Sequence, residues 1–144
     1  MPNDDTIKLL KECNAGAKTA VTSIDEVLDH IQNKNLKDLL IASKKEHEAI
    51  GDFTHSKLIC NHDQDKEPNP IAKAMSWMKI NGKLLMKDED EVVADLMIDG
   101  CSMGVKTVSR YLNQYKAADE ESRAQAEKLV KIEQDLMNEL RSYL

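Results

Sequence analysis

Apolar residues recur at steps of three and four along most of this chain, which is the spacing of one face of an α-helix. The pattern predicts four long helices, at 4–32, 36–60, 88–115 and from 120 onward. Residues 71–86 carry apolar side chains on more than one side and predict a short extra helix. Because the turns at 33–35 and 116–119 are short, consecutive helices are expected to be antiparallel neighbours. The expected fold class is all-α: an antiparallel up-down four-helix bundle with a short extra helix before the third long helix, as one domain over 1–144.

Polar residues at the expected helix starts are suited to capping the free backbone N–H groups there. Asp88 and Glu91 form a capping-box pattern at the start of the third long helix. Asn35 is the expected cap of the second helix and Asp119 that of the fourth. Asn14 interrupts the apolar seam of the first helix, and two interpretations are open: it sets the register, or it lies at the edge of the seam. The edge interpretation is favoured.

A short motif of the first helix recurs in the third. Residues 13–20, CNAGAKTA, and residues 101–108, CSMGVKTV, share the pattern C-x-x-G-x-K-T, and superposing them aligns the apolar faces. This agreement indicates a duplicated helical hairpin. Gly100 and Gly104 lack side chains and lie four residues apart, so we expect another helix to approach closely there. A small-molecule binder using the space beside these two glycines is a further hypothesis.

Composition narrows the range of partners. Aromatic residues make up only 3% of the chain and charged residues 32%, which favours a helical bundle over a β-sandwich. The net charge of -6, without a block of Lys or Arg, argues against nucleic acid and anionic membranes as partners. No apolar run reaches the length of a membrane span, and the N-terminal residues lack the features of a signal peptide. We therefore expect a cytoplasmic protein whose three cysteines are reduced thiols.

A helical bundle of this kind raises the question of a di-metal carboxylate site. Such a site takes a Glu from each of two helices and a Glu-x-x-His motif from each of the other two. No histidine follows His62, so the fourth helix cannot supply its ligand. The second helix offers Asp52-x-x-His55, which the heptad count places on the outer face with Glu48.

Adjacent Glu46 and His47 are the inward polar residues of that helix in the same count. No di-metal centre or other cofactor is therefore expected, and Glu46, His47, Asp52 and His55 remain the weak metal candidates. A weak surface site built from Glu48, Asp52 and His55 is also conceivable, against the simpler interpretation of a solvated charged face.

Other chemistry has less support. The Gly-x-Lys-Thr segments differ from a phosphate-binding loop in glycine spacing, and they fall inside expected helices. Cys13 and Cys101 lie on apolar stripes, where a thiol behaves as a small hydrophobic group, so no catalytic residue is assigned. Cys60 and His62 could form a small metal-binding or reactive pair, but they supply two ligands where a structural zinc site needs four.

Several motifs together resemble the ferritin-like superfamily, and more closely a family of small bacterial ferritin-like four-helix proteins. They are the Cys-x-x-Gly start at Cys13, the LKDLL start of the second helix at Leu36, the short helix containing Trp77, the acidic restart at Asp88 and the Gly100 helix. The resemblance implies a ferritin-like fold over nearly the whole chain. In that family a Glu typically follows each of the two helix glycines, at positions that are Ala17 and Cys101 here. Neither residue can act as a carboxylate ligand.

The expected role is therefore a non-enzymatic ferritin-like bundle that acts through protein contacts. The surplus of apolar residues at 71–86 predicts a homodimer or larger homo-oligomer formed through that segment; any other protein partner is unknown. The alternative is a metal-binding or redox ferritin-like protein with an atypical site on the second helix.

Overall fold

The computed structural model describes residues 3–63 and 90–144, and these form an all-α bundle of four helices. The helices are α1 (Asp4–Leu28), α2 (Lys34–Cys60), α3 (Asp90–Gln114) and α4 (Glu120–Leu140), followed by a 3₁₀ turn at Arg141–Tyr143. The predicted short helix at 71–86 and the predicted cap Asp88 lie outside the described residues. No helix in the described ranges is both long enough and apolar enough to cross a membrane.

Side-chain caps fix three of the helix starts. Asp119 accepts a hydrogen bond from the backbone N–H of Ser122 at 2.8 Å, which confirms the predicted cap of α4. Asn3 caps α1 in the same way. The predicted cap of α2 was wrong: Asn33 accepts from the N–H groups of Asn35 and Leu36, so that Asn35 lies in the first turn of the helix.

The first helix ends four residues earlier than its apolar pattern predicts. The carboxylate of Asp90, at the start of α3, accepts the backbone N–H groups of Gln32 at 2.7 Å and Asn33 at 3.0 Å. These amides are therefore directed at a neighbouring helix and not at the carbonyl groups of α1. A partner distant in sequence thus ends the helix at Leu28.

The opposite end of α1 is tied to the turn that joins α3 to α4. Asn3 donates to the carbonyl oxygen of Ala117 at 2.6 Å, and the N–H of Ala117 donates to Asp5 at 3.0 Å. The N–H of Asp119 donates to the hydroxyl of Thr6 at 2.8 Å. Both ends of α1 are thus held by hydrogen bonds between side chains and backbone groups of different parts of the bundle.

The core consists of two apolar clusters. One is built around Ile24, Leu36, Leu40, Val93, Met97 and Leu140, near the turn between α1 and α2. The other is built around Leu9, Cys13, Ala17, Ile50, Ala126 and Leu129, near the turn between α3 and α4. In α2 the two clusters are separated by buried Ser43 and His47, and in α4 by buried Glu133. This polar interruption divides the core at mid-bundle.

Asn14 is fully buried, so the edge interpretation of this residue was wrong. Its side-chain amide donates to the hydroxyl of Thr54 at 3.1 Å and to the carbonyl oxygen of Gly51 at 3.4 Å, both on α2. The hydroxyl of Thr54 donates to the carbonyl oxygen of Ile50. A polar contact between α1 and α2 therefore lies within the second apolar cluster and sets the register of these two helices.

Candidate functional site

The buried polar side chains at mid-bundle form the candidate site, which we call the polar layer: Ser43 and His47 on α2 and Glu133 on α4, next to half-buried Gly104 on α3. His47 belongs to the seam that runs through Leu40, Ser43 and Ile50, so the heptad geometry of α2 directs it inward. Glu133 lies four residues after Leu129 and three before Leu136, and the same geometry directs it inward from α4.

The imidazole of His47 is 1% exposed and contacts a partner with each nitrogen. Its Nδ1 lies 2.8 Å from the carbonyl oxygen of Ser43, one helical turn earlier, and 3.4 Å from the hydroxyl of the same residue. Its Nε2 lies 3.4 Å from Oε1 of Glu133, whose side chain is 7% exposed. The pair therefore joins α2 to α4 through the middle of the bundle.

The second oxygen of Glu133 is placed differently. Oε2 is buried and has no hydrogen-bond donor among the described residues. It faces Gly104, where a Cβ atom would fall against Oε2, 2.8 Å from the carboxyl carbon and 2.9 Å from Oε1. The carboxyl group therefore fits against α3 only because residue 104 has no side chain. The predicted close helix approach is confirmed at Gly104.

At Gly100 the described residues give no such approach, because an added Cβ would meet none of their atoms within 4 Å. Gly100 is exposed on α3. The space beside Gly104 is filled by the carboxyl group of Glu133, so it is not open to a small molecule.

Burial governs the electrostatics of the polar layer. Loss of solvation raises the pKa of Glu133 above its ordinary 4.5, and the hydrogen bond and charge of His47 only partly oppose this shift. Burial also raises the pKa of the Cys101 thiol to about 12, with a smaller contribution from the charge of Glu133. Cys101 is therefore a neutral thiol, as its place on the apolar stripe predicts.

Ser43, His47 and Glu133 have the residue types of a hydrolytic triad, but their arrangement differs. In a working triad the histidine accepts the serine proton, and the serine is reached by substrate. Here the carbonyl oxygen of Ser43 can only accept a hydrogen bond, so Nδ1 of His47 must carry a proton and cannot take one from the hydroxyl. Ser43 is also 4% exposed. The three residues do not form a nucleophilic site.

The residues expected as metal candidates are not brought together. His47 is buried in the polar layer, whereas Glu46, Asp52 and His55 are exposed on α2. The outward positions of Asp52 and His55 agree with the heptad count. The inward position predicted for Glu46 was wrong, because one residue along a helix turns the side chain by about 100°.

Other proposed ligand groups fare similarly. Within residues 3–63 and 90–144, no three His, Cys, Asp or Glu side chains lie where they could hold a metal ion. This covers the surface group of Glu48, Asp52 and His55. Cys60 is exposed, whereas Cys13 and Cys101 are buried as predicted.

The sequence interpretation missed Glu133, the partner of His47. The three-four spacing of apolar residues along α4 gives the stripe Ala126, Leu129, Ile132 and Leu136, and all four are buried. The strict three-four spacing from Leu129 reaches residue 133 and then 136, so Glu133 occupies a seam position. An acidic residue at such a position was the available indication of a buried polar contact.

No protein-family model matches this chain, and neither a search of curated proteins nor a search of solved structures gave a match. The residues and their geometry therefore carry the functional argument.

Proposed function

We propose that this protein is a non-catalytic helical bundle that acts through contacts with other protein chains. The observation that supports this most is the mutual contact of the two central polar groups: Nε2 of His47 faces the carboxyl group of Glu133 and is closed off from solvent. A catalytic or metal-binding imidazole needs a position open to a substrate or an ion. In this bundle the position next to Nε2 of His47 is occupied by the carboxyl group of Glu133.

We also propose a ferritin-like origin, with the helices in antiparallel up-down order. The short turns that join α1 to α2 and α3 to α4, and the hydrogen bonds from both ends of α1, support that order. In ferritin-like di-metal proteins two helices each carry Glu-x-x-His. Here α2 carries Lys44-x-x-His47 and α4 carries Glu133-x-x-Leu136, so each keeps one member of the motif.

The other member of each motif is replaced by a residue that does not fit a metal. Lys44 forms an ion pair with Asp25 on α1 at 2.7 Å, and Leu136 packs in the apolar core. The two residues that remain contact each other. The residues present therefore do not fit the di-metal centre of the ferritin-like fold, and the buried pair stands where a ligand set would be.

Metal analysis tests the non-catalytic proposal. The untagged full chain, purified without chelator, would be loaded anaerobically with Fe(II) or Mn(II) and measured by mass spectrometry. We expect substoichiometric metal that is the same in wild type, His47→Ala and the exposed control His55→Ala. Stoichiometric metal that is lost in either variant would instead support the metal-binding or redox alternative and identify which histidine is the ligand.

The partner proposed is a second copy of this chain, in contact through residues 71–86. The sequence of this segment supports the proposal, since Met75, Trp77, Met78, Ile80, Leu84 and Leu85 exceed what one buried stripe requires. Sedimentation velocity should give a dimer or larger species for wild type and a smaller one after Trp77→Ser and Met78→Ser. A monomer in the wild-type sample at micromolar concentration would contradict the homo-oligomer.

A further inference from the structure

The contacts of His47 and Glu133 constrain where protons lie in the polar layer. Nδ1 of His47 faces a carbonyl oxygen at 2.8 Å, so this nitrogen carries a proton. Nε2 and Oε1 of Glu133 lie 3.4 Å apart, and two atoms that both only accept hydrogen bonds would repel at that distance. A further proton between them would satisfy both atoms. It belongs either to an imidazolium beside a carboxylate or to a neutral imidazole beside a carboxylic acid.

The surroundings of Oε2 distinguish these two forms. An ionised carboxyl group shares its charge between both oxygens, and Oε2 of Glu133 is buried against Gly104 without a donor from residues 3–63 or 90–144. A charge placed there would have neither solvent nor a hydrogen bond to stabilise it. In the neutral acid, Oε1 carries the proton toward Nε2, and Oε2 is an uncharged carbonyl oxygen. In that form the buried Oε2 atom lacks a hydrogen bond but carries no charge, so its burial costs much less free energy.

We propose that Glu133 is held as a carboxylic acid at neutral pH and donates its proton to neutral His47, forming an uncharged latch between α2 and α4 that weakens when the proton is lost.

The other titratable groups around the polar layer do not supply a competing charge. The raised pKa of Glu133 agrees with the neutral form and arises from burial, opposed only by His47 of α2. On α3 the nearby titratable group is Cys101, whose thiol has its pKa raised to about 12 and is neutral. Within the described part of the chain, neither α1 nor α4 adds a further charged group to the shift at Glu133.

The latch predicts an unusual pH dependence. A carboxyl group whose pKa is higher in the folded state than in the unfolded state favours folding below its ordinary pKa. That advantage is lost as the pH rises through the folded value. Unfolding of the wild type should therefore release a proton from Glu133 between pH 4.5 and its raised pKa. The unfolding constant should rise about tenfold per pH unit in that window, relative to a variant without this group.

Glu133→Gln is the matched variant, since its amide can donate to Nε2 and carries no titrating proton. Urea unfolding of both proteins across pH gives the ratio of their unfolding constants, in which the other titratable groups cancel to first order. A ratio that rises with pH above 4.5 supports the latch. A flat or falling ratio overturns it, because the folded pair would then hold no shared proton. The neutral pair and the ion pair bind the same number of protons, so the next measurement distinguishes these two forms.

A measurement on the wild type alone keeps the proposal testable if the variant does not fold. The side-chain carboxyl carbon of Glu133, labelled with ¹³C and assigned through bonds, reports its protonation by NMR. We expect the chemical shift of a carboxylic acid at neutral pH, in contrast to the carboxylate shift of the same carbon in the urea-unfolded protein. An ionised shift for Glu133 at neutral pH, together with a doubly protonated His47 ring, would refute the uncharged latch.

Discussion

Three helical glycines offer a matched test of the polar layer. At exposed Gly100 an added Cβ meets nothing within 4 Å, and at Gly16 it meets Cδ2 of Leu129 at an ordinary 3.6 Å. Alanine favours a helix over glycine by about 1 kcal/mol. Gly100→Ala and Gly16→Ala should therefore each raise the free energy of unfolding by up to about 1 kcal/mol.

Gly104→Ala gains the same helix propensity but meets the carboxyl group of Glu133. With the Cβ 2.8 Å from its carboxyl carbon, that group must rotate away and lose its contact with Nε2 of His47. Leaving a buried polar group without its partner costs about 1–3 kcal/mol. Gly104→Ala should therefore be about 1–3 kcal/mol less stable than Gly100→Ala. For a domain of this size each kcal/mol lowers the melting temperature by about 2–4 °C.

Urea and thermal unfolding followed by far-UV circular dichroism would measure these differences. Repeating Gly104→Ala in a Glu133→Ala background isolates the contact, because the smaller side chain leaves room for the Cβ. In that background, Gly104→Ala should raise the free energy of unfolding by about as much as Gly100→Ala does in the wild type. Equal stability of Gly104→Ala and Gly100→Ala in the wild-type background would refute the view that Glu133 is held in place by His47.

Three other predictions test the helix ends, the buried contact of α1 and the cysteines. Asp119→Ala should lower the free energy of unfolding by about 1 kcal/mol at neutral pH. Hydrogen bonding by Ser122 lowers the pKa of Asp119, so this loss of stability should disappear as the pH falls through that lowered value. Asn33 is an uncharged cap, so the loss of stability in Asn33→Ala should persist over the same pH range. Asn14→Ala should lower the free energy of unfolding by about 1–3 kcal/mol, because the buried amide donates a hydrogen bond to Thr54 on α2. An unchanged free energy of unfolding would restore the seam-edge interpretation of Asn14. A thiol reagent should label Cys60 in the native protein and all three cysteines in denaturant, and rapid native labelling of the other two would show that the core is open.

The features that could be predicted from the sequence depend on neighbours close in the chain. The apolar periodicity placed all four long helices, and Asp119 caps α4 as its position before an acidic first turn predicts. The caps of α1 and α2 are of the same local kind, although at α2 the choice between Asn33 and Asn35 was wrong. Local capping signals thus place the start of α4 correctly and that of α2 two residues too late.

The features that could not be predicted depend on partners far apart in the chain. α1 ends at Leu28 because Asp90, 58 residues beyond Gln32, accepts its amide. Asn14 is buried because Thr54 on the facing helix offers it a hydroxyl group. Periodicity alone states that a residue lies on a seam, but not which side chain it meets there.

The two copies of the C-x-x-G-x-K-T motif show how the same local sequence leads to different contacts. Gly16 of α1 and Gly104 of α3 both face α4, at Leu129 and at Glu133, which lie one helical turn apart. In one copy the glycine lies at ordinary contact distance from an apolar side chain; in the other it makes room for a carboxyl group. The approach of α4 therefore requires a glycine only at residue 104, and the residue on α4 decides whether the contact is apolar or polar. A buried carboxyl group paired with one imidazole adds less stability than a leucine of similar volume would. Its presence at a seam position is better explained by the register that it imposes between α2, α3 and α4.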